Sequence, residues 1–278
     1  MIEWLVPAGI AALGLGGYAT FIEPRRSVLL HYRLLTRALP KSDRPIRLGI
    51  MSDIHAAWPH MRRSRIEALV REMLAEAPDL LLLPGDFVTM GCLGARSLSP
   101  RVIAEALAPL AGFAPTLAVL GNHDWKYDGP GIARALRDVG IDVLQNEARV
   151  IELGSGALQI AGVDCLMSRR GDVARTFATA DPGLPTILMS HIPDAVTKVE
   201  GRAFLTVAGH THGGQIRLPL RGPIIKATRL PRSLARGLHP YGAGHLLVTS
   251  GLGTATLPIR LGVVPEQLIL EIEGRGRE

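Results

Sequence analysis

The sequence predicts an α/β fold in which a largely parallel sheet, with helices packed outside it, faces a second, mixed sheet. From residue 47 onward, short apolar segments alternate with stretches whose apolar residues recur at helical spacing. Strand, helix and strand in this order favour parallel strands joined by helical crossovers. Beyond residue 140 the predicted strands follow one another more closely, which indicates the second sheet.

The first half of this region contains three predicted strands and three predicted helices. A run of leucines that ends at Pro84-Gly85 is typical of a buried strand that stops at a turn. Apolar residues at Ile66, Leu69 and Met73 lie on one face of a predicted helix. The predicted strands cover residues 47–52, 79–83 and 116–120, and the predicted helices cover residues 62–77, 100–110 and 131–139.

The second half contains six more predicted strands and no internal repeat. The chain has 278 residues, enough to bury a core without disulfide or metal cross-links. Its two cysteines, Cys92 and Cys165, are not part of a Cys-x-x-Cys pair, so we expect two free thiols. The predicted strands cover residues 143–153, 158–163, 186–189, 204–207, 245–249 and 267–272.

The amino terminus carries a long apolar segment. Residues 4–22 contain no charge and, as a helix, would be about 28 Å long, which predicts one membrane span. Two alternatives remain: a cleaved signal peptide, which residues 1–3 disfavour because they lack Lys and Arg, and a helix lying at the membrane interface. We therefore expect a membrane anchor over residues 1–23.

A basic segment follows this anchor. Residues 23–47 carry seven Arg and Lys residues against Glu23 and Asp43. By the positive-inside rule, the carboxy-terminal bulk of the chain is expected on the cytoplasmic side of the membrane, with export after signal cleavage as the alternative. We predict three regions: the anchor, a basic linker over residues 24–46, and one domain over residues 47–274.

Polar side chains follow five predicted strands at the point where each strand ends. The carboxyl ends of parallel strands share one edge of a sheet, where the ligands of α/β proteins collect. Each motif alone has an ordinary explanation, such as a turn cap, but five of the nine histidines fall at these ends and predict one site. The motifs are Asp53-Ile54-His55, Gly85-Asp86, Gly121-Asn122-His123-Asp124, His191 and Gly209-His210-Thr211-His212.

The donor types in these motifs indicate a catalytic metal site. Carboxylate, carboxamide and imidazole groups without thiolates favour Mn²⁺, Fe or Zn²⁺ in a mixed oxygen and nitrogen site over a structural zinc. The donors are too many for one ion. We therefore expect two divalent cations, with Mn²⁺ as the preferred metal.

The order of the motifs resembles the calcineurin-like metallophosphoesterase superfamily, and the resemblance covers residues 53–212. It implies a four-layer α-β-β-α sandwich in which Asp86 bridges two metals. It also implies that His123 contacts the phosphate and protonates the leaving group, with Asp124 orienting it from behind. By the same resemblance, one metal is held by Asp53, His55, Asp86 and His212, and the other by Asp86, Asn122, His191 and His210.

A finer resemblance concerns one branch of that superfamily. The amino-terminal span, residues 209–219, and residues 251–254 and 258–260 look like the bacterial membrane-associated phosphodiesterase branch. Some members of that branch resemble UDP-2,3-diacylglucosamine pyrophosphatases of lipid A biosynthesis. The resemblance implies hydrolysis of a phosphodiester or pyrophosphate bond in a lipid-linked or nucleotide-lipid substrate.

The positive charge suggests where an anionic substrate binds. Residues 215–245 contain six Arg and Lys residues and no acid, so their arginines are expected to receive the substrate, with a solvated basic loop as the alternative. Aromatic residues make up only 4% of the chain, which disfavours nucleic acid as a partner. The candidate substrate-binding residues are Arg217, Arg229, Arg232 and Arg236.

Two other functions stay open at this point. One is a non-catalytic scaffold that keeps the fold and a metal, which the intact motifs disfavour. The other is a metallophosphoesterase that acts on nucleotides or nucleic acid. The sequence indicates nothing about the oligomeric state.

Overall fold

The computed structural model describes residues 2–154 and 156–276, with only the backbone described at residues 2–6 and 8. Two six-stranded sheets form the centre of the domain. The first sheet has the strand order β1 (Val28–Thr36), β16 (Glu266–Gly274), β2 (Ile46–Ile50), β4 (Leu80–Leu83), β6 (Thr116–Ala118) and β7 (Asp142–Val143). The second sheet has the order β14 (Gly237–Tyr241), β15 (Gly244–Val248), β11 (Leu205–Ala208), β10 (Thr186–Ser190), β9 (Gly156–Val163) and β8 (Glu147–Leu153). Within them, β2, β4, β6 and β7 run parallel, as do β9, β10, β11 and β15.

The strands and helices predicted for the first half are present with shifted ends, and the helix predicted over residues 131–139 already begins at Asn122. The strands Val28–Thr36, Ala57–Trp58 and Arg96–Ser97 were not predicted. The helix α4 is kinked at Asp128, whose backbone is not helical. The bounds are β1 Val28–Thr36, β2 Ile46–Ile50, β3 Ala57–Trp58, α2 Arg63–Ala75, β4 Leu80–Leu83, β5 Arg96–Ser97, α3 Pro100–Phe113, β6 Thr116–Ala118, α4 Asn122–Arg137 and β7 Asp142–Val143.

The six strands predicted for the second half are also present with shifted ends. The helix Val173–Ala178 and the strands Arg217–Leu218, Gly222–Pro223 and Gly237–Tyr241 were not predicted. Antiparallel strands lie at both edges of the second sheet, which makes it mixed, as predicted. The bounds are β8 Glu147–Leu153, β9 Gly156–Val163, α5 Val173–Ala178, β10 Thr186–Ser190, β11 Leu205–Ala208, β12 Arg217–Leu218, β13 Gly222–Pro223, β14 Gly237–Tyr241, β15 Gly244–Val248 and β16 Glu266–Gly274.

Three apolar clusters produce a four-layer arrangement. Residues of both sheets, such as Ile50 and Ile187, share one fully buried cluster, so the sheets pack face to face. The opposite face of the first sheet packs against α2, α3 and α4 through residues such as Met73 and Leu107. The outer face of the second sheet packs against α5 and the 3₁₀ helix Pro193–Lys198.

The amino-terminal helix is shorter than the predicted membrane span. Helix α1 covers the 16 residues Ile2–Gly17, and the π-helical turn Tyr18–Ile22 follows it, so the apolar segment is divided between two kinds of helix. In the described ranges, no helix combines the length and the apolar character that a membrane crossing requires. The transmembrane helix predicted over residues 4–22 is therefore not supported.

The predicted basic linker also differs from the structure. Residues Val28–Thr36 form β1, which pairs in parallel with β16 along nine residues. Leu34 is buried in the core between the sheets, while Arg33 faces out and forms an ion pair with Glu273. The exposed cations of an edge strand made this segment resemble a linker, although it belongs to the domain.

Candidate metal centre

The predicted site lies at the carboxyl ends of the parallel strands, where the two sheets meet. Asp53 and His55 follow β2, Asp86 follows β4 and Asn122 follows β6, all in the first sheet. The second sheet contributes His191 after β10, and His210 and His212 after β11. The structure thus brings all seven predicted metal ligands together, and it buries the titratable ones.

Asp86 lies between two groups of donors. Its Oδ2 is 3.5 Å from Nε2 of His55 and 3.2 Å from Nε2 of His191. On the first side, Nε2 of His212 is 3.1 Å from Nε2 of His55 and 3.5 Å from Oδ1 of Asp53. This geometry fits a carboxylate shared by two cations.

The second group surrounds His191. Its Nε2 is 3.2 Å from Oδ1 of Asn122 and also 3.2 Å from Nδ1 of His210. Nδ1 of His191 is 2.8 Å from the Pro84 carbonyl and so carries a proton when it donates to that oxygen. In the neutral form of the ring, Nε2 therefore directs a lone pair toward Asn122 and His210.

The two ring nitrogens of His55 are arranged in a similar way. Its Nδ1 is 3.1 Å from the Val88 carbonyl, which leaves Nε2 as the lone-pair atom that faces His212. Burial lowers the pKa of His55 to about 3, so the ring is neutral near pH 7. Imidazole nitrogens and carboxylate oxygens that converge in this way are the ligand types that divalent cations bind, so the donor set matches a metal centre.

The carboxylates and His191 are strongly coupled. Burial opposes protonation of His191, but the neighbouring Asp86 carboxylate outweighs it and raises the pKa of His191 to about 10. Burial also raises the pKa of Asp53 to about 6. Although burial disfavours its charge too, the pKa of Asp86 stays well below its usual range because His191 and His55 lie beside it. A positive charge is therefore favoured next to Asp86.

The backbone at the site is unusual. Five of the seven predicted ligands have a positive φ, a conformation that is uncommon outside glycine. Gly121 permits the close approach of two loops, because a Cβ at this position would lie 2.1 Å from Oδ1 of Asp86. The five residues are Asp53, His55, Asp86, His210 and His212.

His123 lies beside the candidate metal ligands His55 and Asp86. Its ring is 4.7 Å from that of His55, centroid to centroid, and its Nδ1 accepts a hydrogen bond from Met90 N–H at 2.9 Å. Nε2 therefore carries the proton when the ring is neutral. Burial lowers the pKa of His123 below its ordinary value, which favours the neutral ring. This tautomer presents a proton donor beside His55 and Asp86.

Asp124 is a buried carboxylate that binds four backbone N–H groups around Asp86. Its Oδ2 accepts from the N–H groups of Asp86 and Gly121, and its Oδ1 accepts from those of Phe87 and Val88, at 2.8 to 3.1 Å. The imidazole of His123 accepts its hydrogen bond from Met90 N–H. Asp124 holds the loop that carries Asp86, and its orientation of His123 stays a prediction.

The four candidate substrate arginines lie in different surroundings. Arg229 lines a cavity of about 710 Å³ that also contacts His210. Arg217 donates to the Gly213 carbonyl at 3.2 Å, and Arg232 is exposed on the 3₁₀ helix Arg232–Ala235. Arg236 forms an ion pair with the buried Glu266. Of the four arginines, Arg229 lines the cavity that extends to His210, one of the candidate metal ligands.

Arg260 is a buried residue whose contribution the sequence did not reveal. Its side chain is fully buried, and its Nη2 donates to the carbonyls of Ser250 and Gly253 and lies 3.3 Å from Nδ1 of His212. It thus fixes the segment after β15 against a predicted ligand. No spacing or local pattern marks an isolated arginine in a glycine- and proline-rich segment for this role.

Comparison with known proteins agrees with this architecture. Residues 46–214 match the model of the calcineurin-like phosphoesterase family, and the chain belongs to that family. It is similar to Phosphodiesterase YaeI of Escherichia coli, with 30% identity over 260 residues and 92% of each chain covered. It is also similar to the uncharacterized metallophosphoesterase YkuE of Bacillus subtilis, with 27% identity, covering 98% of this chain and 95% of the other.

Among solved structures, a dimetal phosphatase from Danio rerio aligns with a TM-score of 0.46 at 10% identity, covering 76% of this chain and 88% of that one. Membership in the family makes this chain a metal-dependent phosphoester hydrolase. Proteins of the family typically bind two divalent metals, and the donor groups around Asp86 are the candidate positions here.

Proposed function

We propose that the chain hydrolyses a phosphodiester or pyrophosphate bond in a lipid-linked substrate, such as a nucleotide-lipid of the UDP-2,3-diacylglucosamine type. The observation that carries this proposal is the cavity of about 710 Å³ beside His210. Its lining includes the apolar residues Leu166, Met167 and Leu230 and the cationic residues Lys198, Lys226 and Arg229. A substrate with an anionic part and an acyl part matches both kinds of lining residue.

The cavity is basic although Asp194 also lines it. Oδ2 of Asp194 accepts from the Thr228 hydroxyl at 2.6 Å and its Oδ1 accepts from Arg229 N–H at 2.8 Å. The carboxylate is therefore engaged in holding the loop that carries the cations. Lys226 and Arg229 are exposed and remain able to contact an anion.

Each residue of the metal centre has a proposed task. Two divalent cations, when bound, would neutralise phosphate oxygens and acidify a water molecule. Asp53, His55, Asp86 and His212 would hold one cation, and Asp86, Asn122, His191 and His210 the other. His123 would donate its Nε2 proton to the leaving oxygen, and Asp124 would keep Asp86 in place. We propose Mn²⁺ as the metal, with Fe or Zn²⁺ as alternatives.

The location of the protein is also a proposal. Exposed apolar residues of α1, such as Ile10 and Leu13, lie close in sequence to the basic residues Arg25 and Arg26. This combination supports contact with the inner membrane from the cytoplasmic side. A membrane location would bring the cavity close to a lipid-linked substrate.

The test compares substrates with and without acyl chains. The full chain, in detergent and with Mn²⁺, should hydrolyse UDP-2,3-diacylglucosamine with a kcat/KM at least tenfold above that for UDP-N-acetylglucosamine. Lys226→Gln and Arg229→Gln should each raise KM for the lipid substrate several-fold, whereas Arg71→Gln, an exposed arginine on α2, should not. Equal kcat/KM for the two substrates would contradict the lipid assignment.

A simpler measurement tests hydrolysis itself. Bis-p-nitrophenyl phosphate should be cleaved with Mn²⁺ and not after treatment with a chelator. Failure of this reaction would favour the non-catalytic scaffold. Preference for nucleotides or oligonucleotides over the lipid substrate would instead favour a metallophosphoesterase of the nucleotide-specific kind.

A further inference from the structure

The short hairpin that follows the last metal-ligand motif exposes apolar residues at its tip. Strands β12 and β13 pair in antiparallel fashion, and Leu220, in the turn between them, is fully exposed. Leu220 has a φ of +63°, a conformation that turns usually assign to Gly or Asn. Ile224 and Ile225, just beyond the hairpin, are also exposed. A bulky apolar residue at such a position indicates a contact outside the domain.

Cations are interspersed with these apolar side chains. Arg221 and Lys226 are exposed, and neither forms an ion pair with any residue of the described ranges. Residues 215–245 contain no acid that could neutralise them. Aliphatic side chains between unpaired cations are typical of a segment that enters the interface of an anionic bilayer.

The hairpin and the amino-terminal helix are attached to the same short segment. Arg260 N–H donates to the Ala19 carbonyl at 2.9 Å, and Val263 N–H donates to Oε1 of Glu23 at 2.7 Å. Between them, the Leu261 carbonyl accepts from Arg217 N–H at 2.7 Å. The base of the exposed apolar helix and the base of the hairpin are therefore neighbours.

Further cations lie next to the base of that helix. Arg25, Arg62 and Arg65 line one cavity of about 570 Å³. None of the three forms an ion pair with another residue in the described part of the chain. Burial and the charge of Arg25 lower the pKa of Arg65 to about 10. Glu72 is the one acid in the lining of this cavity, so the lining keeps a net positive charge, which favours anionic headgroups.

We propose that the hairpin, together with residues 224–226, inserts into the surface of an anionic phospholipid bilayer and that α1 contributes to the same contact. Leu220 is the most deeply inserted residue of the hairpin. Lys226 also lines the cavity beside His210, so docking would open that cavity toward the bilayer. Delivery of a lipid substrate by this route rests on the proposed function, whereas the docking itself does not.

The experiment measures insertion at single positions in the full chain. A Leu220→Cys variant is labelled with an environment-sensitive fluorophore and mixed with phosphatidylglycerol vesicles whose acyl chains are brominated. A Val150→Cys variant is the matched control, because Val150 is exposed on β8 at the edge of the second sheet. The native Cys92 and Cys165 are buried, which favours labelling at the introduced thiol.

The label at position 220 should be quenched at least threefold more strongly than the label at position 150. Leu220→Ser should lower vesicle partitioning by about tenfold, while Phe113→Ser, a loss of an exposed apolar residue on α3, should leave it unchanged. Vesicles of phosphatidylcholine alone should bind at least tenfold more weakly. Equal quenching at the two positions, equal binding to both lipids, or no binding would overturn the proposal.

These outcomes are independent of catalysis. Quenching and partitioning need no substrate and no turnover, and hydrolysis of bis-p-nitrophenyl phosphate by the unmodified chain needs no vesicle. Loss of insertion with intact hydrolysis would therefore reject the docking alone. Insertion without any hydrolysis would reject the proposed function alone.

Discussion

Oδ2 of Asp86 lies 3.2 Å from Nε2 of His191, and the same oxygen also faces His55 from the other side. One carboxylate oxygen thus connects donors from both sheets. Its replacement should affect both halves of the site at once, which distinguishes Asp86 from a ligand that serves one metal.

Asp86→Asn should therefore abolish binding of both metals. The amide keeps the size of the side chain but removes the charge that a shared ligand supplies. We expect metal content, measured by mass spectrometry after dialysis, to fall from two ions per chain to fewer than one. Turnover of bis-p-nitrophenyl phosphate should fall at least about a thousandfold. Asp138→Asn, an exposed aspartate at the end of α4, is the matched control, and two retained metals would contradict the bridging role.

His123→Ala should lower turnover while both metals stay bound. Loss of a general acid typically costs about 10²- to 10⁴-fold, and His123 is not among the predicted metal ligands. The decrease should grow as the pKa of the leaving group rises, because a poor leaving group depends more on protonation. Rates for a series of substituted aryl phosphodiesters measure this dependence. An equal decrease for all leaving groups would argue against proton donation.

Asp124→Asn should destabilise the fold. The carboxylate accepts four backbone hydrogen bonds, and an amide has one acceptor oxygen and would place its NH₂ group against two N–H donors. We expect a loss of about 2 to 4 kcal/mol in the free energy of unfolding, measured with urea. The Asp138→Asn variant should change it by less than about 0.5 kcal/mol. An unchanged unfolding midpoint would mean that the loop is held by other contacts.

Arg260→Met should weaken metal binding as well as stability. The methionine keeps much of the volume, but the carbonyls of Ser250 and Gly253 lose their buried donor beside His212. We expect the affinity for Mn²⁺, measured by titration calorimetry, to fall about 10- to 100-fold, as for other residues that orient ligands. Arg71→Met serves as control. Normal affinity together with a lowered melting temperature would assign Arg260 a purely structural role.

Removal of metal should destabilise a folded protein without unfolding it. The fold has an extensive buried core, and imidazole nitrogens and carboxylates face one another around Asp86 where bound cations would hold them together. A chelator should therefore lower the melting temperature by several degrees, and added Mn²⁺ should restore it in a concentration-dependent way. Far-ultraviolet circular dichroism should be unchanged at 25 °C. Loss of that signal on chelation would show that the metals are required for folding.

The site was predictable because its signal is local in the sequence. Each motif directly follows an apolar strand, so the position of Asp86 or His191 can be inferred from its own neighbourhood. β1 was not predicted, because its pairing with β16 joins residues more than 230 positions apart and its exposed side carries charges such as Arg33. The contacts of Asp124 and Arg260 depend on loop geometry that no spacing encodes.

The positive φ angles of the five predicted ligand residues imply a conflict between the stability of the fold and catalysis. Each such residue costs about 1 to 3 kcal/mol where it is not glycine, and the packed core must hold it in place. Glycine at His55 or His210 would relieve that cost and remove the ligand. Selection for heat resistance of the metal-free protein, without selection for turnover, should therefore accumulate inactivating substitutions at these positions first.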